Sequence, residues 1–329
     1  MLAVVVAIGL AVVLRRAAPP EPIRLLPGAE GYVYVDLRPL RLADLKIAKP
    51  PLDPEYEQFI KDTGFDLERD LNQIATAVHA GAANGENRFT HILDVRISQE
   101  KVRRALLKSS ARVDSYRDIE IYNFNLQDRT GRVAILGPDL AVASNVDDPL
   151  VIRGVIDRFK KLASPFGGPK LVRHYYRKVP IGSLAWAILD IAHDSQQNKS
   201  LQLPGGFDLF FPPNTVAVAS VRYLGEINFK VEAITPDENA AKRVTDQVNA
   251  FLALFHMLET NASGSDPDVK QFFDSLRVAQ DGNEAVLTAE LPKGFIKKIL
   301  TEPPPEPQVG APAQEPRKPA PKKKPQRKK

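Results

Sequence analysis

Short stretches in which apolar and polar residues alternate run through most of the chain, most of them bounded by glycine, proline or aspartate. A two-residue period marks strands that cover one face. Residues 31–37, rich in tyrosine and valine, form the first such strand. Residues 89–97 form another, with Phe89, Leu93, Val95 and Ile97 on one side. Residues 133–136 and 140–144, joined through Gly137, Pro138 and Asp139, predict a hairpin. Further strands are expected at 183–190, 215–223, 226–234, 275–280 and 285–290.

Helices are announced by a capping residue followed by proline, the residue suited to the first helical position. Asp53 before Pro54, Asp148 before Pro149, Thr235 before Pro236 and Asp266 before Pro267 all show the device. Thr235 with Glu238 also has capping-box spacing. The helix expected there carries Val244, Val248, Phe251, Phe255 and Leu258, an apolar stripe able to cover a sheet. Phe255, His256 and Met257 belong to that stripe and its flank, not to a cofactor box. Consecutive hairpins interrupted by helices imply an α+β fold with an antiparallel or mixed sheet.

The two halves of the body resemble each other. Pro27, a short turn and a strand ending in Asp36 match Pro180, a turn and a strand ending in Asp190. Gly64 to Leu67 repeats the letters of Gly206 to Leu209. The strand around Ala75 matches the one around Val216, and Asp94 to Glu100 matches Glu232 to Glu238, each running from a strand into a helix cap. The expected organisation is therefore a first α+β repeat at 25–165 and a second at 166–302.

Leu25, Leu26, Pro27 and the strand ending Tyr34, Val35, Asp36, Leu37 are followed by the Thr63 to Leu71 segment (Gly64, Phe65, Asp66, Leu67, Glu68, Arg69, Asp70). With the later Leu140 to Ser144 strand before Asp148, this pattern resembles bacterial membrane-anchored envelope proteins of a domain-of-unknown-function type. The resemblance spans about residues 25–300. It implies an envelope location and a fold, and no reaction.

The ends change the picture. Residues 1–14 contain no polar side chain. As a helix at about 1.5 Å per residue they span roughly 21 Å, against a hydrocarbon core of roughly 30 Å. No basic residue precedes the run, as a signal peptide requires, so the expectation is a membrane anchor at 1–16 and an extended proline-rich linker at 17–24. Arg15 and Arg16 favour a cytoplasmic body under the positive-inside rule, a vote that charges further upstream would reverse. The envelope resemblance places the body outside the cytoplasm. Residues 303–329 hold nine prolines and almost no large apolar residue, and are expected to be disordered.

Of the net charge of +5, the segment from 303 onward carries +6 and Arg15 and Arg16 carry +2, leaving the body at −3. Positive charge confined to the ends argues against a folded nucleic-acid-binding surface. Arg317, Lys318, Lys322, Lys323, Lys324, Arg327, Lys328 and Lys329 make the tail a ligand for anionic lipid or an acidic envelope polymer. It has no aromatic residue to stack on bases, which disfavours nucleic acid.

Catalytic signatures are sparse. There is no cysteine, which removes disulfides, thiolate metal sites and thiol catalysis. None of His79, His91, His174, His193 and His256 is spaced as a helical metal pair. His193, Asp194 and Ser195 are sequential neighbours and cannot form a triad. Asp66, Glu68 and Asp70 alternate like a calcium loop, but Leu71 and Ala77 stand where glycine and glutamate belong. Asp36 and Asp190, equivalent in the two halves, are the acidic pair to watch, either converging on one cleft or each capping the helix that follows. The expectation is a membrane-anchored, non-catalytic binding or scaffold module without a cofactor. The alternatives are a hydrolase using Asp36 and Asp190, and a polyanion- or nucleic-acid-associated protein working through its basic tail.

Overall fold

The computed structural model describes residues 18–42, 54–79, 88–126, 129–161, 168–191, 199–203, 207–223, 226–261 and 267–292. The expected anchor at 1–16, the basic tail from 303 and the His193 to Ser195 segment lie outside the described residues. Among the described residues no helix is long and apolar enough to cross a membrane.

In chain order the elements are α1 (Glu21–Leu25), β1 (Gly31–Asp36), α2 (Arg38–Leu42), α3 (Pro54–Thr63), α4 (Leu67–Asp70), β2 (Leu71–His79) and β3 (Arg88–Val95). There follow α5 (Gln99–Ser109), β4 (Arg112–Tyr116), β5 (Ile119–Leu126), β6 (Arg129–Ile135), β7 (Leu140–Ser144), α6 (Pro149–Lys161) and α7 (Lys170–Tyr175). The rest are β8 (Ser183–Asp190), β9 (Lys199–Leu203), β10 (Phe207–Phe211), β11 (Val216–Tyr223), β12 (Ile227–Ile234), α8 (Glu238–Asn261), α9 (Pro267–Ser275), β13 (Arg277–Asp281) and β14 (Glu284–Leu291).

Twelve strands form one sheet in the order β13-β14-β12-β11-β8-β1-β2-β3-β7-β6-β5-β4, with β9 and β10 as a separate hairpin. Every pairing is antiparallel, and with helices on both faces the architecture is α+β as expected. β1 and β8, the strands matched between the halves, lie side by side, with six strands beyond β1 and four beyond β8. Outward from them run β2, β3 and β7 on one side and β11, β12 and β14 on the other.

Strand alternation builds the main core. One cross-strand row runs through Ala134, Val142, Ile92, Ala75, Tyr34 and Trp186, each opposite the next. All six are buried, and they pack with Ile23 and Leu25 of α1, Ile152, Val155 and Ile156 of α6, and Val172 of α7. Burying each large aliphatic side chain contributes about 1.5–3 kcal/mol. Tyr34 stacks on Trp186 at 5.6 Å between centroids, and the Tyr32 hydroxyl donates to Pro27 O at 2.8 Å. The opposite face carries α3, α5, α8 and the β9–β10 hairpin. There Leu209 and Phe211 pack with Ala233, Val244 and Ala285.

Three expectations need correction. The linker at 17–24 contains most of α1, whose Ile23 is fully buried. Pro20 and Pro22 sit at the helix start, where proline's fixed φ and missing N–H cost nothing. The helix expected from Thr235 begins at Glu238, and its cap is Asp237, whose Oδ1 accepts from Ala240 N at 2.8 Å. Thr235 instead ties the chain to Asn283 O at 2.8 Å. The match between Gly64–Leu67 and Gly206–Leu209 is one of letters only. Asp66 caps α4, accepting from Glu68 N at 3.0 Å, whereas residues 207–211 form β10.

Candidate functional site

The site originates in β7. Its alternation sends Leu140, Val142 and Ser144 into the packed face and Ala141 and Ala143 to the opposite one. Two alanines leave that opposite face shallow between Leu93 of β3 and Val133 and Ile135 of β6. Over this hollow lies α5, with Val102, Ala105 and Leu106 at the spacing of a single helical face. None of the residues of α5 is buried. Phe59 and Thr63 of α3, Phe65 beyond it and Phe124 of β5 complete a cavity of about 410 Å³. Small-molecule sites commonly enclose about 300–1,000 Å³ behind apolar walls.

The walls supply little polarity. The Thr63 hydroxyl donates to Phe59 O at 2.7 Å and accepts from Phe65 N at 3.1 Å. Asp62, the one charged side chain among the described lining residues, accepts from Gln58 Nε2 at 2.8 Å. These groups are engaged with the protein itself, and none is arranged as an acid–base pair. The arrangement suits a neutral apolar group.

A polar clasp ties α5 to the sheet. Arg103 Nε donates to Glu120 Oε2 at 2.8 Å and Nη2 to Oε1 at 2.6 Å, while the Tyr122 hydroxyl donates to the same carboxylate. The Arg103 bonds, then the Tyr122 bond, hold the Glu120 carboxyl down at about 2. Burial first, then the bond to Glu120, pushes the Tyr122 phenol up to about 12. At neutral pH the carboxylate is therefore ionised and the phenol protonated, the pairing a bidentate arginine fork requires.

The expected acidic pair does not form. Asp36 ends β1, where it accepts from Arg38 N at 3.1 Å, Nε at 2.9 Å and Nη2 at 2.6 Å, so it caps α2. Asp190 lies at the other end of the same strand pair, its N–H donating to Glu30 O at 2.7 Å. Gly31 faces Leu189 and Val35 faces Ala185 in antiparallel register. Six residues at about 3.3 Å each put the two backbones about 20 Å apart. Glycosidase carboxylates stand at most about 9.5 Å apart, so equivalent positions in the two halves do not converge. The antiparallel central pairing is the reason.

His79 and His91 do not converge either. His79 Nε2 contacts Thr90 Oγ1 at 3.1 Å, and Thr90 contacts Ser144 Oγ at 3.0 Å. His91 Nδ1 contacts Thr76 Oγ1 at 2.9 Å on the opposite sheet face. Burial lowers the pKa of both rings. Asp66 and Asp70 are occupied locally: Asp66 caps α4, and Asp70 Oδ2 accepts from Asp66 N at 2.9 Å and Arg69 Nη2 at 2.6 Å. What the sequence reading missed is the cavity. Its only written trace is the alternation of alanines with larger residues in β7.

No protein-family model matches the chain, and no curated protein matches it. It is similar to solved structures of TP0453. Crystal form III of that protein covers 86% of this chain and 98% of its own at 9% identity, with a TM-score of 0.48. Crystal form I covers 85% and 96% at 9% identity, with a TM-score of 0.46.

Proposed function

We propose that the protein is a non-catalytic, membrane-tethered binding module that holds a neutral apolar molecule or acyl chain in the cavity beneath α5. The observation that carries this reading is a helix whose apolar face lies over a cavity of about 410 Å³ while none of its residues is buried. An apolar occupant would supply the missing contacts. Residues 1–14 serve as the tether in this reading, and the envelope resemblance supports a body outside the cytoplasm. A fluorescent neutral probe, N-phenyl-1-naphthylamine, titrated into the full-length chain tests the site. Saturable one-to-one binding, competed by a long-chain alcohol, is expected. Binding absent or linear in probe concentration refutes it. Protease accessibility in intact cells against spheroplasts tests the location, and digestion only after the inner membrane is breached would overturn it.

A further inference from the structure

The sheet face that is apolar through its first half turns polar at β11. The row through Tyr34 and Trp186 continues, residue opposite residue, into Ser220, Lys230, Thr288 and Arg277. The next row sets Arg222 opposite Asn228, and Asn228 opposite Glu290. With strands about 4.8 Å apart, this brings cations from β11, β12 and β13 to one hollow of about 320 Å³. A solvated sheet face needs only scattered polar residues. It does not need three cations and several hydroxyls around one concavity.

The charges divide unequally. Lys230 Nζ bonds Glu232 Oε1 at 2.5 Å, and Glu232 is buried, so that pair is neutralised within the fold. Arg277 Nη1 donates to Asp274 O at 2.6 Å and Leu276 O at 2.8 Å, which orients the guanidinium and leaves its remaining N–H groups to a ligand. Among the described residues neither Arg222 nor Arg277 forms an ion pair, and Glu290 is the one carboxylate in the walls. We propose that this hollow binds a phosphate group, received by Arg222 and Arg277 with the hydroxyls of Ser220 and Thr288 as further donors. Planar guanidinium forks match a phosphate's several acceptor oxygens better than a point charge does. The site lies on the sheet face opposite the apolar cavity and stands independently of it.

The test uses the full-length chain at constant ionic strength, titrated with inorganic phosphate against chloride and followed by thermal melting and calorimetry. Phosphate should stabilise the protein saturably where chloride does not. Arg222→Gln with Arg277→Gln should weaken phosphate binding at least about tenfold. Both proteins keep the basic tail, so their difference reports the hollow alone. Arg277 is exposed, so Arg277→Gln by itself should fold and should still weaken binding. A second arm uses vesicles containing phosphatidylglycerol. Vesicle binding that falls with the same substitutions assigns the phosphate to a lipid headgroup, and vesicle binding unchanged while phosphate binding falls assigns it to a soluble phosphate. Equal phosphate affinity in wild type and both variants, or no saturable response in wild type, overturns the proposal.

Discussion

Replacing Ala143 by leucine separates a ligand site from a packing defect. If the space beneath α5 were an empty void, about 24 cal/mol per Å³ over its 410 Å³ would cost about 10 kcal/mol. That rivals the whole stability of a domain, about 5–15 kcal/mol. An open mouth that admits water lowers the figure, but the fold still forgoes contacts it could make. Leucine at position 143 adds three carbons pointing into the space from β7. At about 0.8 kcal/mol per buried methylene the gain is up to about 2.4 kcal/mol, a rise in Tm of up to about 5–10 °C for a domain of this class. The same side chain occupies room the probe needs, so probe affinity should fall at least about tenfold. Thermal melting and probe titration on one protein sample read both effects. A loss of stability of about 1–3 kcal/mol, the usual result of overpacking, with probe binding unchanged, would show that the region is already filled and would refute the site.

Glu120→Gln should remove stability at neutral pH, and the gap from wild type should close as pH falls. The folded carboxyl at about 2 lies below its unfolded value, so its contribution is full above the ordinary carboxylate range and is lost as pH drops toward about 2. Urea midpoints of the two proteins at several acidic pH values check this. Burial lowers the pKa of His79 and His91, so the unfolded chain protonates first. Stability should hold above about pH 6.5 and decline below it, and His79→Asn with His91→Asn should flatten that decline in denaturant titrations. Removing residues 303–329 should leave Tm nearly unchanged, because a proline-rich chain attracted by a body charge of only −3 contributes little across a screening length of about 8 Å. Binding to anionic vesicles should fall and lose most of its salt dependence, measured by sedimentation at two salt concentrations.

Strands with one covered face were legible because alternation is written residue by residue. Residues 183–190, 226–234 and 285–290 were read nearly to their observed bounds. The hairpin of β4 and β5 was missed for a physical reason. Its turn holds Arg117 at φ 50° and Asp118 at φ 61°, a left-handed pair usually signalled by Asn-Gly. β4 is also an edge strand, with Arg112 and Asp114 paired across its surface at 2.6 Å, so it carries charge in place of apolar alternation. The helix α1 hid behind its prolines. The cavity was illegible because a volume depends on how far two helices stand from a sheet, and no single residue encodes that distance. The aspartate pair looked plausible for the opposite reason: sequence equivalence says nothing about which ends of two strands meet.

The strand order supports a duplication about the β1–β8 pair, which we propose as the origin of the two halves, and it explains why the apolar site lies in the first. In each half the third strand from the β1–β8 boundary, β3 or β12, leads into a helix on the same sheet face, α5 or α8. The first turns of α8 bury Ala240, Ala241 and Val244, and Val244 packs with Leu209 and Phe211 of the β9–β10 hairpin. Among the described residues no such hairpin lies beneath α5, and none of its residues is fully buried. The helix of the second half is thus closed onto the sheet, whereas that of the first half leaves a space beneath it. Local opening free energy follows buried apolar contact, so the backbone amides of α5 should exchange with deuterium well before those of 238–247. Saturating probe should slow exchange in α5 and leave α8 unchanged. Equal protection of the two helices without ligand would mean that α5 is packed as firmly as its counterpart, and the cavity could then be neither entered nor filled.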